Sequence, residues 1–263
     1  MKKNVLIVGG LNGIGKLISD FYKDSSKYNT VITSRKFQNK NKKINNNFKF
    51  FNLNLTKLNN LNKFYNFLKL NKIKNFDIVI ICAGTLGKIT EFEKSSLSSL
   101  KKTFEVNFFG QVKLCLFFLK KKLFKESSNL IFFSTSLFIP DPKFVEYTTS
   151  KHAQYALMLT LSKELRSKNI YVNCIMPGQM HTKMNQKKIN SKKLIDKKIY
   201  KQAKKIKKLG NKKKLKKIHN TLEFITKKNS RVNLNGKIIS AQHDNLKNIR
   251  FTNKKLFTFI RNM

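Results

Sequence analysis

The sequence predicts an α/β fold: a Rossmann-like, doubly wound parallel sheet of about seven strands, in a single domain. Three observations carry that prediction. Short, continuous apolar runs recur along the chain, as strands buried on both faces require. Segments of helical spacing alternate with them, which fits crossover connections over a sheet covered on both sides. Glycines close the first and fourth of these runs, at the strand ends where open parallel sheets bind ligands.

The elements follow in order. Residues 4–8 (NVLIV) read as a buried strand ending in Gly9-Gly10, and Gly13 to about Ser26 as a helix with Ile14, Leu17, Ile18 and Phe21 on one face. Residues 30–34 (TVITS) give the second strand, 38–47 a polar loop, 48–53 the third strand and 58–70 a helix. Residues 77–82 (DIVIIC) form a fourth buried strand that ends at Ala83-Gly84. Residues 97–122 read as one apolar helix, 130–133 (LIFF) as the fifth strand, 147–167 as a helix and 170–176 as the sixth strand, closed by Pro177-Gly178. Residues 187–217 hold 16 Lys and one acid, Asp196; weak helical spacing of Ile199, Ala203 and Ile206 predicts mobile, solvated helices there. A last short strand is expected at 237–241. No repeat or domain boundary interrupts the pattern, so one domain is expected over 1–263, with a Lys-rich substrate-loop insertion at about 183–228.

Composition narrows the function classes. The chain has 263 residues with 56 Lys plus Arg against 13 Asp plus Glu, a formal charge of +43. Hydrophobic residues are still 40%, with 23 Phe, which is enough for a real core. So basic a chain invites a nucleic-acid or polyanion reading through counterion release. However, 51 of the bases are Lys and only 5 are Arg, and Arg is the residue that reads guanine bidentately. The charge therefore reads as compositional, on a solvated surface, and argues against nucleic acid as the partner. Cys82, Cys115 and Cys174 form no CxxC pair; an odd number of separated thiols argues against a disulfide framework or a metal site and for a reducing, cytoplasmic setting. No run approaches the ~20 apolar residues of a membrane span.

The chemistry-bearing segment is residues 9–15, Gly-Gly-Leu-Asn-Gly-Ile-Gly, directly after the first strand. Glycine allows positive φ and close approach of a pyrophosphate to the backbone. A helix starting near Gly13 offers free N–H groups and a positive dipole end to that phosphate. Four of the chain's 10 Gly fall within these seven residues, which points to a dinucleotide site rather than a bare turn.

The GxxxGxG spacing resembles that of the short-chain dehydrogenase/reductase family, with Val8 where the family has Thr. Further marks of that family occur in the right order. They are Ala83-Gly84 after the fourth strand, Asn107 in Asn-Phe-Phe-Gly, Ser134 placed 13 residues before Tyr147, Lys151 four residues after it, then Pro177-Gly178 and Thr182. Tyr-x-x-x-Lys alone carries little in so Lys-rich a chain, where Tyr65/Lys69 and Tyr200/Lys204 also match. Only Tyr147/Lys151 follows a buried strand with Ser and precedes a strand ending in Pro-Gly.

The pair lies at i and i+4, on one helix face. An ammonium beside a phenol favours phenolate, so Lys151 is expected to lower the pKa of Tyr147 and make it an acid/base. The resemblance implies catalytic roles for Asn107, Ser134, Tyr147 and Lys151, with Ser136 as the alternative hydroxyl to Ser134. It implies cofactor contacts from Gly9, Asn12, Gly13, Ile14, Gly15, Arg35, Asn54, Ala83, Gly84, Tyr147, Lys151, Pro177, Gly178 and Thr182; Thr182 has a second reading as a helix cap. The second strand ends Thr33-Ser34-Arg35-Lys36 with no acid before Asp77, which favours NADP(H) over NAD(H). Asn54 stands where the family often has Asp, and Cys82 where it has Asn.

The implied activity is hydride transfer between NADPH and a carbonyl or alcohol substrate. A 3-oxoacyl-carrier-protein reductase and a surface-saccharide ketone reductase are the specific alternatives. A non-enzymatic polyanion binder is the alternative from another class. The substrate is expected to be a small molecule, anionic or carrier-bound, and the resemblance implies a homodimer or homotetramer through helices 97–122 and 147–167.

Overall fold

A computed structural model of the chain describes residues 2–23, 26–35, 47–135, 141–227, 234–244 and 246. The strands are β1 (Lys3–Val8), β2 (Tyr28–Ser34), β3 (Phe48–Asn52), β4 (Phe76–Ile81), β5 (Phe124–Phe133), β6 (Tyr171–Met176) and β7 (Ile238–Ser240). They form one sheet in the order β3-β2-β1-β4-β5-β6-β7, with neighbouring strands parallel throughout. The expected doubly wound sheet is therefore present. Its strand order reverses between β1 and β4, so the carboxyl ends of these two strands border the crevice where such sheets take a ligand.

Alternation along β1 shows how the layers form. Leu6 and Val8 point to one face, and Val5 and Ile7 to the other. The first face is covered by α2 (Leu58–Leu70), α4 (Gly110–Lys120) and α5 (Val145–Glu164), through Phe64, Phe118 and Met158. Phe64, Phe76 and Phe118 stack there at centroid separations of 5.9 to 6.4 Å. Truncating a ring such as Phe118 to Ala costs roughly 3–5 kcal/mol. The second face is covered by α1 (Gly13–Lys23) and α8 (Lys212–Thr226), through Ile18, Tyr22, Ile218, Leu222 and Ile225.

Several elements differ from expectation. The helix expected over 97–122 is α3 (Leu97–Phe104), a π turn at Glu105–Phe109 and α4. β5 begins six residues earlier than expected and shifts register between Phe76 and Ile78 of its neighbour β4. The Lys-rich segment holds α6 (Lys183–Asn190), α7 (Lys197–Leu209) and α8. These helices are seated rather than solvated all round: Ile199, Ala203 and Ile206 of α7 are buried, and α8 belongs to the layer that covers the sheet. The loop expected at 38–47 and Ser136 lie outside the described residues, except for Asn47. Among the described residues no helix is long and apolar enough to cross a membrane, and no group of three His, Cys, Asp or Glu could hold a metal ion.

Candidate functional site

The turn from β1 into α1 is built for close approach. Gly9 has φ +83, and a Cβ there would sit 2.8 Å from the backbone of Ala83. A Cβ on Gly15 would lie 2.2 Å from the Gly9 carbonyl oxygen, so strand and helix touch through glycine alone. Gly13, also at positive φ, starts α1, whose first turn carries no acidic side chain to occupy its positive end. Ile14 packs against the second core cluster and anchors this end.

A cleft opens over the turn. Gly9 and Asn12 line it with Ser34 and Arg35 from the end of β2. Asn54, Ala83 and Gly84 line its other wall, and Cys82 lies beside them. Asn54 Oδ1 accepts from Thr56 N at 3.1 Å and Thr56 Oγ1 at 2.9 Å, so its carbonyl side is committed to the local turn. The donor set suits a dinucleotide: free helix N–H groups, a guanidinium and no carboxylate among these lining residues.

Across the switch point stand Asn107, Tyr147 and Lys151, with Ser134 beside them. The π turn widens the helix at Asn107, which is fully buried. Asn107 Oδ1 accepts from Thr85 N at 2.7 Å, while Nδ2 donates to Thr85 O and Ser150 Oγ, each at 2.9 Å. Asn107 thus clamps the segment after β4 to α5.

Tyr147 sits on the first turn of α5, against an apolar cluster that includes Leu86, Ile89 and Phe144. Burial pushes its phenol up to about 12, and a hydrogen bond with Thr135 pulls it the other way. The depression expected from Lys151 is absent in this arrangement. The contacts of the ammonium lie elsewhere: Lys151 Nζ donates to Phe133 O at 2.8 Å and Gln154 Oε1 at 3.0 Å. Ser134 ends β5 with its hydroxyl buried and no partner among the described residues. Thr135, which sequence spacing does not single out, is the side chain that acts on the Tyr147 phenol. Only its adjacency to Ser134 could have pointed to it.

The segments after β6 and β7 meet each other. Gly178 has φ +71 beneath Gln242, whose Nε2 donates to Pro177 O at 2.9 Å. Thr182 caps α6, its hydroxyl accepting from Asn185 N at 3.3 Å. A Cβ on Gly13 would come within 3.8 Å of Thr182, so this residue also faces the glycine turn. Asn12, Gly13, Gly84 and Thr182, far apart in sequence, thus border one crevice.

Residues 3–193 match the profile of the short chain dehydrogenase family. The chain is 27% identical over 134 residues to "Dehydrogenase/reductase SDR family protein 7-like" of Drosophila melanogaster, covering 51% of this chain and 40% of that protein. It spans about two-fifths of the length of the curated relatives it matches. Among solved structures, "ElxO with NADP Bound" superposes with a TM-score of 0.72 at 23% identity, covering 92% of this chain and 97% of the other. A "4-hydroxyisoleucine dehydrogenase complexed with NADH" superposes with a TM-score of 0.72 at 20% identity, covering 91% and 96%.

Proposed function

The chain belongs to the short-chain dehydrogenase family, and on that premise we propose that it is an NADPH-dependent oxidoreductase that interconverts a carbonyl and an alcohol. The observation that carries this reading is the convergence of a glycine turn and a Tyr/Lys pair at the carboxyl ends of one parallel sheet. When bound, a nicotinamide cofactor supplies the hydride. Gly9, Gly13, Gly15 and Asn12 would receive the pyrophosphate side. Ala83, Gly84, Asn54 and Ile14 would border the adenosine half, and Pro177, Gly178 and Thr182 the nicotinamide half. Tyr147 gives a proton to the carbonyl oxygen in reduction and takes one from the alcohol in oxidation. Lys151 holds the ribose hydroxyls, and Asn107 keeps the segment after β4 in place.

Arg35 supports the NADP choice. It lines the cleft beside Ser34, and no acid stands among the cleft residues to bind a free ribose 2′-hydroxyl. Losing one charge-assisted contact to a 2′-phosphate is worth roughly 1.5–3 kcal/mol, or about 10- to 100-fold in affinity. R35A should weaken NADPH binding by that factor and leave NADH binding unchanged, as read by fluorescence titration. Equal weakening of both cofactors would remove the 2′-phosphate role.

The hydroxyl that supports the substrate oxygen is expected at Ser134. A second reading gives this role to Thr135, because its side chain acts on the Tyr147 phenol to favour phenolate, while Ser134 is buried without a partner. T135V should then slow turnover about 10- to 100-fold, as expected for loss of one preorganised donor, with S134A close to wild type. The reverse pattern would restore Ser134.

The substrate wall combines Leu86, Ile89 and Phe144 with Lys187 and Lys188 of α6; Lys187 reaches the Gly87 carbonyl and Lys188 lies 4.8 Å over the Phe144 ring. An apolar floor under a basic rim supports an anionic or carrier-bound carbonyl substrate. Exposed Phe109 and Leu116 support a homodimer or homotetramer through the α4/α5 side. The free thiols fit a cytoplasmic setting. Mixing the protein with NADPH and a panel of 3-oxoacyl thioesters and keto sugars tests the activity. NADPH consumption with one class supports it. Salt-sensitive polyanion binding with no turnover would favour the polyanion reading instead.

A further inference from the structure

A chain of buried amides runs behind the Tyr147/Lys151 pair, and neither of its glutamines belongs to the motifs that mark the site. Lys151 Nζ donates to Gln154 Oε1 at 3.0 Å, Gln154 Nε2 donates to Gln111 Oε1 at 2.6 Å, and Gln111 Nε2 donates to Ala83 O at 3.1 Å. Gln111 and Gln154 are 0% and 1% exposed, so no water competes for these groups.

The far end of the chain sets its direction. A backbone carbonyl can only accept, so Gln111 must turn its NH₂ to Ala83 and its oxygen to Gln154. Gln154 must then meet that oxygen with its own NH₂, which leaves its carbonyl for Lys151. A flipped Gln154 would set NH₂ against ammonium and oxygen against oxygen. An ammonium has three donors. Phe133 O and Gln154 Oε1 take two of them. The amine also borders Gly84, where a Cβ would lie 3.7 Å from Nζ, on the wall of the dinucleotide cleft.

We infer that Gln154, oriented by Gln111, is a positioning residue that keeps Lys151 charged and aims its remaining donor at the dinucleotide cleft. The inference rests on the cofactor reading given above. Its physical need is plain, because burial disfavours an ammonium and pulls that of Lys151 down to about 8. The titratable groups around it offer no fixed counter-charge. Cys82 follows β4 and Cys174 lies in β6; burial pushes both thiols up, that of Cys174 to about 12. From α4 comes only the neutral Gln111, and on α5 itself Tyr147 is a neutral phenol one turn earlier. The two carbonyl dipoles are what favour the charge.

Two substitutions of similar length pull in opposite directions. Q154M removes the acceptor, and Q154E replaces it with a charge. Competitive acetylation of the full chain with acetic anhydride across pH, read by mass on the peptide that carries Lys151, follows the titration of that amine alone. The midpoint should fall by about one pH unit in Q154M, a tenfold change in protonation, and rise by about as much in Q154E. Q111M should lower it by less. General loosening of the core would move both Gln154 variants the same way and would overturn the inference, as would midpoints that stay at the wild-type value. NADPH titration of the same samples keeps the two readings apart. If the wild type binds no NADPH, the aim toward a cofactor falls with the cofactor reading. If NADPH binds and the midpoints do not move, the role of Gln154 alone falls.

Discussion

Replacing Tyr147 by Phe is expected to remove turnover by a factor of roughly 10² to 10⁴ while NADPH still binds and the fold holds. The substitution deletes one oxygen. The ring keeps its packing against the cluster of Leu86, Ile89 and Phe144. Thr135 loses its hydrogen-bond partner, a change of about 1 kcal/mol in stability, which is small beside the catalytic loss. The effect should fall on kcat, because the proton is needed as charge develops on the substrate oxygen and contributes little to binding before that. Stopped-flow and steady-state rates on the best substrate of the carbonyl panel measure it. Y147F with unchanged kcat would remove Tyr147 from the reaction. The pH dependence has a definite sign. A phenol held near 12 donates its proton across the neutral range. Reduction should therefore hold level through neutral pH and fall only on the alkaline side, where Lys151, held near 8, loses its charge.

Replacing Gly15 by Ala should produce the largest loss of stability at the site. The new Cβ would stand 2.2 Å from the Gly9 oxygen and 2.9 Å from its carbonyl carbon. Both are backbone atoms, so no side-chain rotation relieves the clash and the turn itself must open. Overpacking of this kind costs on the order of 3 kcal/mol or more. NADPH affinity should fall by about 100-fold or more, because a turn forced open no longer presents the backbone N–H groups that would receive the pyrophosphate. Gly210 provides the control. It also has positive φ, +64, but a Cβ there meets nothing within 4 Å. G210A should cost about 1–3 kcal/mol through backbone strain and leave NADPH affinity unchanged. Denaturant melts and cofactor titrations of the two variants measure both quantities. Equal cofactor loss in the two would mean that general destabilisation, rather than the cradle, accounts for G15A.

The sheet was legible because a parallel strand buried on both faces leaves a run with no polar gap. VLIV and IVII are such runs, and both are fully interior. The first half of β5 (FKESSN) was not legible: its residues are polar, and it pairs at the sheet's end through backbone groups. The π turn at 105–109 was hidden for another reason. EVNFF is apolar on either side of Asn107, so a helix that widens by one residue there leaves no break in the pattern. In α8 the apolar positions Ile218, Leu222 and Ile225 keep helical spacing, but the surrounding Lys density made the segment read as solvated.

The site divides the same way. Residues that end strands came from order and spacing, and Gly9, Asn12, Asn54 and Ala83-Gly84 border one crevice. What spacing could not supply was the direction of a side chain. Tyr147 and Lys151 share a helix face, yet the ammonium turns to Phe133 O and Gln154, while the phenol turns to Thr135. Each member of the pair is held by neutral neighbours. The charge of +43 enters here only in its sign. A basic chain favours anionic ligands at any exposed cleft, which makes a 2′-phosphate preference meaningful only if it is lost with Arg35 rather than with bulk salt.

Calorimetric titration of the full chain with NADPH and with NADH, at physiological salt, tests the central claim most directly. The account predicts one saturable site per chain for NADPH, at least tenfold weaker binding of NADH, and loss of both in G15A. Absence of a saturable site for either nucleotide in the wild-type protein would contradict it.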